Sequence, residues 1–212
     1  MIAECFELIK KTRGIDLSIE SIDLGDKKTF DLLSSGKTLG VFQLEGDGMT
    51  RYIKQLKPTS INDVSAMIAL YRPGPMEQIP KFIEGKHGKI PNYIHKILEQ
   101  NLEETYGVIV YQDQVLYIFR EMAGYSLGEA DIVRKSMGKK ISEIMIAEKN
   151  KFISRCVSNG YEENLASEVF NLIEPFAGYA FNKAHSVSYA LVSYITAYLK
   201  ANFLEEFLTT SM

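Results

Sequence analysis

Four cations are crowded into residues 128–140, which read GEADIVRKSMGKK. Arg134 and Lys135 fall on a predicted short helix, and Lys139 and Lys140 follow the glycine that is expected to end it. An arginine offers a fork of N–H donors and a lysine a compact positive charge, so the four together would suit a polyphosphate. A solvated basic face is the alternative interpretation of the same residues.

The Gly138-Lys139 pair does not belong to a P-loop. The Walker pattern requires a glycine five residues before the Gly-Lys pair and a serine or threonine after it. Val133 and Lys140 stand at those two positions. Any phosphate contact here must therefore come from side-chain cations rather than from a P-loop.

A second polar cluster, Asn182, Lys183 and His185, precedes a periodic helix that is predicted to begin near Ser186. The first N–H groups of a helix are unpaired and the helix dipole favours anions there. A lysine and a histidine in this place indicate a phosphate or sugar-phosphate contact. The alternative is a loop that caps a buried helix, with its aromatic neighbours in the core.

Arg72 is followed by Pro73-Gly74-Pro75. Proline cannot continue a helix and disfavours helical backbone in the residue before it, so the preceding helix is predicted to stop here. Arg72 is then held on a rigid bend. The competing interpretation is a turn shaped by the prolines, with Arg72 solvated.

Other catalytic arrangements are weakly indicated. The three histidines lack a recognisable metal-ligand spacing, and the carboxylates show no pattern that would hold two magnesium ions. Ser186 beside His185 suggests a hydrolase, but a nucleophile elbow, a third orienting group and an oxyanion pocket are not visible. We therefore predict no catalytic residue and no metal ligand in this chain.

The composition is that of a globular protein. The 212 residues suffice for one large domain or two small ones, and the net charge of −3 argues against a wholly basic nucleic-acid binder. Cys5 and Cys156 form no disulfide framework, so a reducing cytoplasm is the default, and no apolar run reaches membrane-spanning length. Both ends interrupt helical patterns, which indicates a piece of a longer protein.

Helical periodicity dominates the elements that carry these residues, so the predicted fold class is mainly α. Ser60 and Asp63 form a capping-box pattern, and Gly36 is expected to end a helix. Tyr106–Tyr111, rich in β-branched residues, is the best strand candidate.

Taken together, five segments resemble one family, the alpha subunit of bacterial DNA polymerase III, the replicative C-family polymerase. They occur in the family's order and spacing, and the resemblance covers nearly the whole chain. The segments are GVFQLEGDGM (40–49), LYRPGP (70–75), TYGVIVYQDQV (105–115), GYSLGEADIVRKSMGKK (124–140) and FAGYAFNKAHSVSYALVSYITAYLKA (176–201).

The resemblance implies a multi-helical fingers region with at most a short strand or hairpin. Residues 1–60 would connect the palm to the fingers, and residues 61–212 would form a fingers domain truncated at both ends. The family's fingers hold the incoming deoxynucleoside triphosphate against the primer terminus. The residues matching its triphosphate- and sugar-binding positions are Arg72, Arg134, Lys135, Lys139, Lys140, Lys183 and His185.

The resemblance gives these residues different roles. Arg134 and Lys135 match the paired basic positions that grip the triphosphate, and Arg72 lies in the bend lining the same site. Lys183 and His185 belong to the loop facing the nascent base pair and sugar, where His185 would help to exclude a 2′-hydroxyl. The family's paired arginines are here Arg134-Lys135, so the second contact keeps its charge and loses its fork. Two smaller departures are Ser136 for a usual alanine and Gly46 for a serine.

The parent enzyme implied by the resemblance is a DNA-directed DNA polymerase of the cytoplasm that uses Mg²⁺. The aspartates that hold this metal would precede Met1, so the fragment alone is predicted to be inactive. Implied partners are deoxynucleoside triphosphates, primer–template DNA, the sliding clamp and the clamp loader, with no membrane. The alternative function is a non-catalytic helical module that binds nucleic acid or a protein.

Overall fold

Helices dominate the computed structural model, which describes residues 1–138 and 142–211 of the chain. The mainly α prediction is confirmed. Within these ranges no helix is both long enough and apolar enough to cross a membrane. The described helices are α1 Ile2–Arg13, α2 Lys27–Ser35, α3 Asp47–Leu56, α4 Ile61–Leu70, α5 Ile79–Lys86, α6 Lys96–Leu102, α7 Gln112–Ala123, α8 Leu127–Gly138, α9 Ser142–Ser158, α10 Glu163–Ala177, α11 Lys183–Asn202 and α12 Leu204–Ser211.

Capping chemistry places the ends of α4 and α2 where the sequence predicts them. The Ser60 hydroxyl accepts the Asp63 N–H at 3.2 Å, and Asp63 Oδ2 accepts the Ser60 N–H at 3.2 Å. This reciprocal box satisfies two N–H groups that lack partners within the helix. Gly36, with a φ of 74°, ends α2 in the left-handed conformation that glycine adopts without a steric penalty.

The two small departures from the family pattern fit their surroundings. Gly46 is the N-cap residue of α3 with a φ of −71°, and a Cβ built there would meet no atom within 4 Å. A serine would therefore fit, and glycine at an N-cap costs only a few tenths of a kcal/mol by comparison. The Ser136 hydroxyl donates to the Ile132 carbonyl at 2.9 Å within α8, so it is satisfied inside its own helix.

The chain divides into two compact units. Unit 1 comprises Met1–Tyr71 and Ala184–Met212, and unit 2 comprises Arg72–Lys183. The predicted functional boundary between residues 60 and 61 concerns the palm and the fingers, and it stays a prediction.

In unit 1, α1 packs against α12 around a buried carboxylate. Glu206 Oε1 accepts hydrogen bonds from Arg13 Nε at 2.7 Å and from Thr12 Oγ1 at 2.8 Å. Glu206 is only 3% exposed. These two bonds, that of Arg13 first, lower the pKa of Glu206 to about 2. The ionised carboxylate therefore joins the two helices.

Replacing Glu206 with glutamine should lower the melting temperature in a pH-dependent way. A depressed folded-state pKa stabilises the fold at pH values above the ordinary glutamate pKa, about 4.3, and this stabilisation is lost as the pH falls toward 2. Thermal unfolding from pH 7 to pH 2 should show a wild-type advantage that shrinks below about pH 4. Glu205→Gln is the matched control, since Glu205 is 87% exposed. A difference that does not change with pH would contradict the assignment.

The core of unit 2 contains aromatic rings from three helices. Phe119 of α7 lies 5.1 Å from Phe152 of α9, and Phe152 lies 5.6 Å from Phe170 of α10, measured between ring centroids. All three side chains are fully buried. Burying an aromatic side chain contributes about 1.5–3 kcal/mol, so this cluster provides a firm support for the exposed side chains of α7 and α8.

The strand predicted for Tyr106–Tyr111 is wrong. Residues 108–110 form no regular element, and only Tyr111 makes an isolated parallel bridge, to Phe181. The β-branched run reflects burial, since Val108, Ile109 and Val110 are at most 3% exposed. The fold-level expectation of at most a short strand is therefore correct.

Candidate anion-binding site

Arg72 stands on the predicted bend at the start of unit 2. Gly74 has a φ of 96° there, and a Cβ at this position would lie 3.4 Å from the ring of Tyr179. The guanidinium carbon of Arg72 lies 4.7 Å from the ring centroid of Phe181. The predicted alternative of a solvated arginine is wrong, since this side chain is half-buried on an aromatic ring.

The guanidinium of Arg72 has unused hydrogen-bonding capacity. Its Nε and Nη2 are buried, and neither has a hydrogen-bond partner within the described part of the chain. Burial lowers the pKa of Arg72 from its ordinary value, although an arginine stays charged at neutral pH. Buried donors without acceptors cost roughly 1–3 kcal/mol each, so the site favours a ligand that supplies acceptor atoms.

A single bridge fixes Phe181 beneath this arginine. The Phe181 N–H donates to the Val110 carbonyl at 2.9 Å, and the Gln112 N–H donates to the Phe181 carbonyl at 2.9 Å. Gln114 Oε1 in turn accepts the N–H groups of Val110 and Tyr111 at 2.8 and 2.9 Å. The aromatic support of Arg72 is therefore tied to the first turn of α7.

Lys183 contacts the other residue of the same bridge. Its Nζ lies 5.5 Å from the ring centroid of Tyr111 and 2.7 Å from Glu104 Oε2. These groups line an open cleft of about 350 Å³. We call Arg72, Phe181, Tyr111 and Lys183 the bridge site. It places two cations on two paired aromatic residues.

The start of α11 corrects one sequence expectation. The helix begins at Lys183, not near Ser186, so Lys183 and His185 lie in its first turn rather than in the loop before it. His185 is exposed, and its ring centroid lies 4.3 Å from that of Tyr189. His185 belongs to unit 1, whereas Lys183 closes unit 2. A common site for these two residues stays a prediction.

Arg134 and Lys135 lie together on α8, and both contact Asp131. Asp131 Oδ1 accepts from Arg134 Nη2 at 2.8 Å and from Arg134 Nε at 3.2 Å. Asp131 Oδ2 lies 2.6 Å from Lys135 Nζ. We call these three residues the α8 cluster. Lys139 and Lys140, which were predicted to join it, lie outside the described residues.

The hydrolase interpretation is not supported by the surroundings of Ser186. The Ser186 hydroxyl is fully buried and lies 2.9 Å from the Ser65 hydroxyl. His185 next to it is exposed. A nucleophile must reach its substrate, so this hydroxyl is placed for packing rather than for attack.

Three residues of these arrangements were missed by sequence reasoning. Asp131 lies three and four residues before the two cations, a spacing that brings side chains together on a helix and could have been noticed. Phe181 was assigned to the core, and nothing local indicates that an arginine stacks on it. Gln114 depends on the bridge, which the sequence does not predict.

The described residues also bear on metal binding. Outside residues 139–141 and 212, no three histidine, cysteine, aspartate or glutamate side chains lie close enough together to hold a metal ion. The carboxylates of both sites, Glu104 and Asp131, are each paired with cations instead. These residues do not form a two-magnesium site.

Fold and site define a mainly helical protein whose basic side chains suit polyanions. The chain belongs to the family described as the bacterial DNA polymerase III alpha subunit finger domain, whose model matches residues 1–160. This confirms the resemblance that the five sequence segments indicate.

The similar proteins carry the name DNA polymerase III subunit alpha. The chain is 46% identical to the Rickettsia prowazekii protein over all of its length, 47% identical to the Bacillus subtilis protein over 96%, and 44% identical to the Thermus aquaticus protein over 97%. It spans only 18%, 18% and 17% of the lengths of these relatives. The similarity therefore concerns one region of a much longer polypeptide.

Proposed function

We propose that this chain is the fingers part of a bacterial replicative DNA polymerase, which binds the incoming deoxynucleoside triphosphate and the end of the primer–template. Family membership supports the class of protein. The surroundings of Arg72 are the observation that supports a phosphate-bearing ligand. Among the residues that the structure describes, its two buried donors have no acceptor, and a phosphate group supplies acceptor oxygens in the geometry that a guanidinium fork prefers.

The bridge site has the composition of a nucleic-acid or nucleotide contact. An arginine and a lysine attract phosphate, and the aromatic rings beneath them hold both cations in place. Lys183 is paired with Glu104, but both side chains are more than one-third exposed. An exposed ion pair contributes only about 0–1 kcal/mol, so exchanging Glu104 for a phosphate as the partner of Lys183 costs little free energy.

The α8 cluster contributes the second group of cations. In nucleotidyl transfer, preorganised positive groups stabilise the charge that develops on the triphosphate. Arg134 suits this task because its side chain is only 12% exposed, and its guanidinium is already oriented by Asp131. We assign Lys139 and Lys140 to the same triphosphate, and His185 to the sugar, from the family pattern.

The chemistry of the whole polymerase requires Mg²⁺, whose ligands we place outside this chain. We likewise assign contacts with the sliding clamp and the clamp loader to the parent protein, which acts in the cytoplasm. The purified 212-residue chain should therefore bind ligands without extending a primer. The assay combines the chain, primer–template, all four deoxynucleoside triphosphates and Mg²⁺, followed by product sizing on a gel. Primer extension by a preparation free of other polymerases would refute this prediction.

Binding to the same chain tests the proposed function itself. Fluorescence anisotropy would measure the affinity for primer–template with and without the complementary triphosphate, for wild type and for Arg72→Met. The proposal expects the complementary triphosphate to tighten the complex and Arg72→Met to abolish that effect. Lys11→Ala removes an exposed cation from unit 1 and serves as the control. DNA binding that is indifferent to the triphosphate would favour the non-catalytic interaction module instead.

A further inference from the structure

Asp131 is the common partner of the two cations in the α8 cluster. One oxygen of its carboxylate accepts two hydrogen bonds from Arg134, and the other lies 2.6 Å from Lys135 Nζ. A single negative charge thus faces two positive ones. These contacts, that with Lys135 first, lower the pKa of Asp131, so it is ionised at neutral pH.

The two cations differ in how firmly they are held. The side chain of Arg134 is 12% exposed, whereas that of Lys135 is 66% exposed. An adjoining face of α8 is anchored, since Ala130, Val133 and Met137 are buried in the core of unit 2. Asp131 and Arg134 therefore form the fixed part of the cluster, and Lys135 forms its movable part.

We propose that Asp131 is a positioning residue that acts as an internal anion: it holds Arg134 and Lys135 together until the triphosphate replaces it as the partner of Lys135. This inference rests on the proposed function, because it assumes that the two cations meet the triphosphate. The carboxylate of Asp131 then competes with the triphosphate for Lys135, and this competition weakens the ground-state affinity for the nucleotide.

Charge explains why this competition favours the substrate over smaller anions. An exposed lysine exchanges one carboxylate for a phosphate at little cost, and a polyanion gains more from the exchange than an anion of low charge. Arg134 remains oriented by Asp131 throughout, so its donors keep their direction. Asp131 would thus restrict the site to ligands of high negative charge.

The experiment uses the full-length polymerase carrying Asp131→Asn, with steady-state kinetics for the incoming nucleotide on a fixed primer–template. Removing the competing charge should lower the nucleotide KM by about three- to tenfold, with kcat changed less than about twofold. The inhibition constant for inorganic tripolyphosphate should fall by a similar factor. Both effects should diminish at high salt, which screens exposed charges.

Glu129→Gln is the matched control, because it removes a charge from the same helix. Glu129 pairs with Arg155 and accepts the Ser126 N–H, so it does not touch the two cations. Its nucleotide KM should stay within about twofold of wild type. A fall equal to that of Asp131→Asn would overturn the proposal, because loss of any nearby charge would then suffice.

Other outcomes separate this inference from the proposed function. An unchanged or raised KM in Asp131→Asn, with a raised KM in Arg134→Ala, would contradict the internal-anion role of Asp131. The proposal that Arg134 binds the triphosphate would then still stand. Unchanged kinetics in Arg134→Ala and Lys135→Ala would overturn this inference and the assignment of the α8 cluster to the triphosphate, whereas Arg72→Met tests the proposed function separately. A fall in melting temperature without a change in KM would show that Asp131 stabilises α8 and does nothing more.

Discussion

Replacing Arg72 with methionine should lower kcat/KM for the incoming nucleotide by about tenfold to a hundredfold in the full-length polymerase, without lowering its melting temperature. Hydrogen bonds to a charged group contribute roughly 1.5–3 kcal/mol each, which sets this range. Methionine keeps an unbranched chain on the ring of Phe181 and removes two buried donors that have no acceptor within residues 1–138 and 142–211. The melting temperature should therefore not fall, whereas the nucleotide should lose its hydrogen bonds to the guanidinium. Steady-state kinetics and thermal unfolding measure the two effects separately.

Arg51→Met is the control for this substitution. Arg51 also lies over an aromatic ring, that of Tyr52 at 5.3 Å, but it is exposed. Its replacement should leave kcat/KM unchanged. Arg72→Lys should retain part of the activity, since it keeps the charge and loses the planar fork. A lower melting temperature together with unchanged kcat/KM would show that Arg72 serves the fold alone.

Arg134→Ala should raise the nucleotide KM or lower kcat by about tenfold or more. The side chain of Arg134 is only 12% exposed and is oriented by two hydrogen bonds to Asp131, so alanine removes a preorganised fork of donors. Lys135→Ala should have a smaller effect because its exposed ammonium is a point charge on a flexible chain. Pre-steady-state kinetics would distinguish weaker binding from slower chemistry.

Arg120→Ala offers a matched comparison within the same unit. Arg120 is also paired with a carboxylate, Glu121 at 2.7 Å, and its side chain is 48% exposed. Kinetic constants equal to those of wild type are expected for this variant. If Arg134→Ala behaved in the same way, Arg134 would not touch the triphosphate.

Much of the fold could be predicted because its helix signals are local. The capping box at Ser60 and Asp63, and the left-handed glycine at Gly36, act within a few residues. Two errors arose where the local pattern was misleading. The β-branched run Val108–Val110 resembles a strand but reflects burial. The helix α11 begins at Lys183, although its apolar pattern starts later.

The site could be predicted only as a set of cations. Sequence patterns supplied Arg72 and Arg134 but not their partners, because Phe181 reaches Arg72 across more than one hundred residues. Asp131 was also missed, although its helical spacing from Arg134 is visible in the sequence. The partner of Arg72 therefore depends on a long-range contact, whereas the partner of Arg134 is local.

The side-chain amide of Gln114 makes hydrogen bonds to backbone groups that a neighbouring strand would satisfy in a sheet. Its oxygen accepts two backbone N–H groups, while its Nε2 donates to Thr105 Oγ1 at 2.8 Å and to the Asn101 carbonyl at 3.3 Å. Only a side chain that carries both donors and acceptors can serve all four partners. A carboxylate of the same shape has no N–H to offer, and a leucine has neither group. One side chain thus satisfies the polar groups of a buried irregular segment, and we expect any substitution at position 114 to leave some of them without their partner.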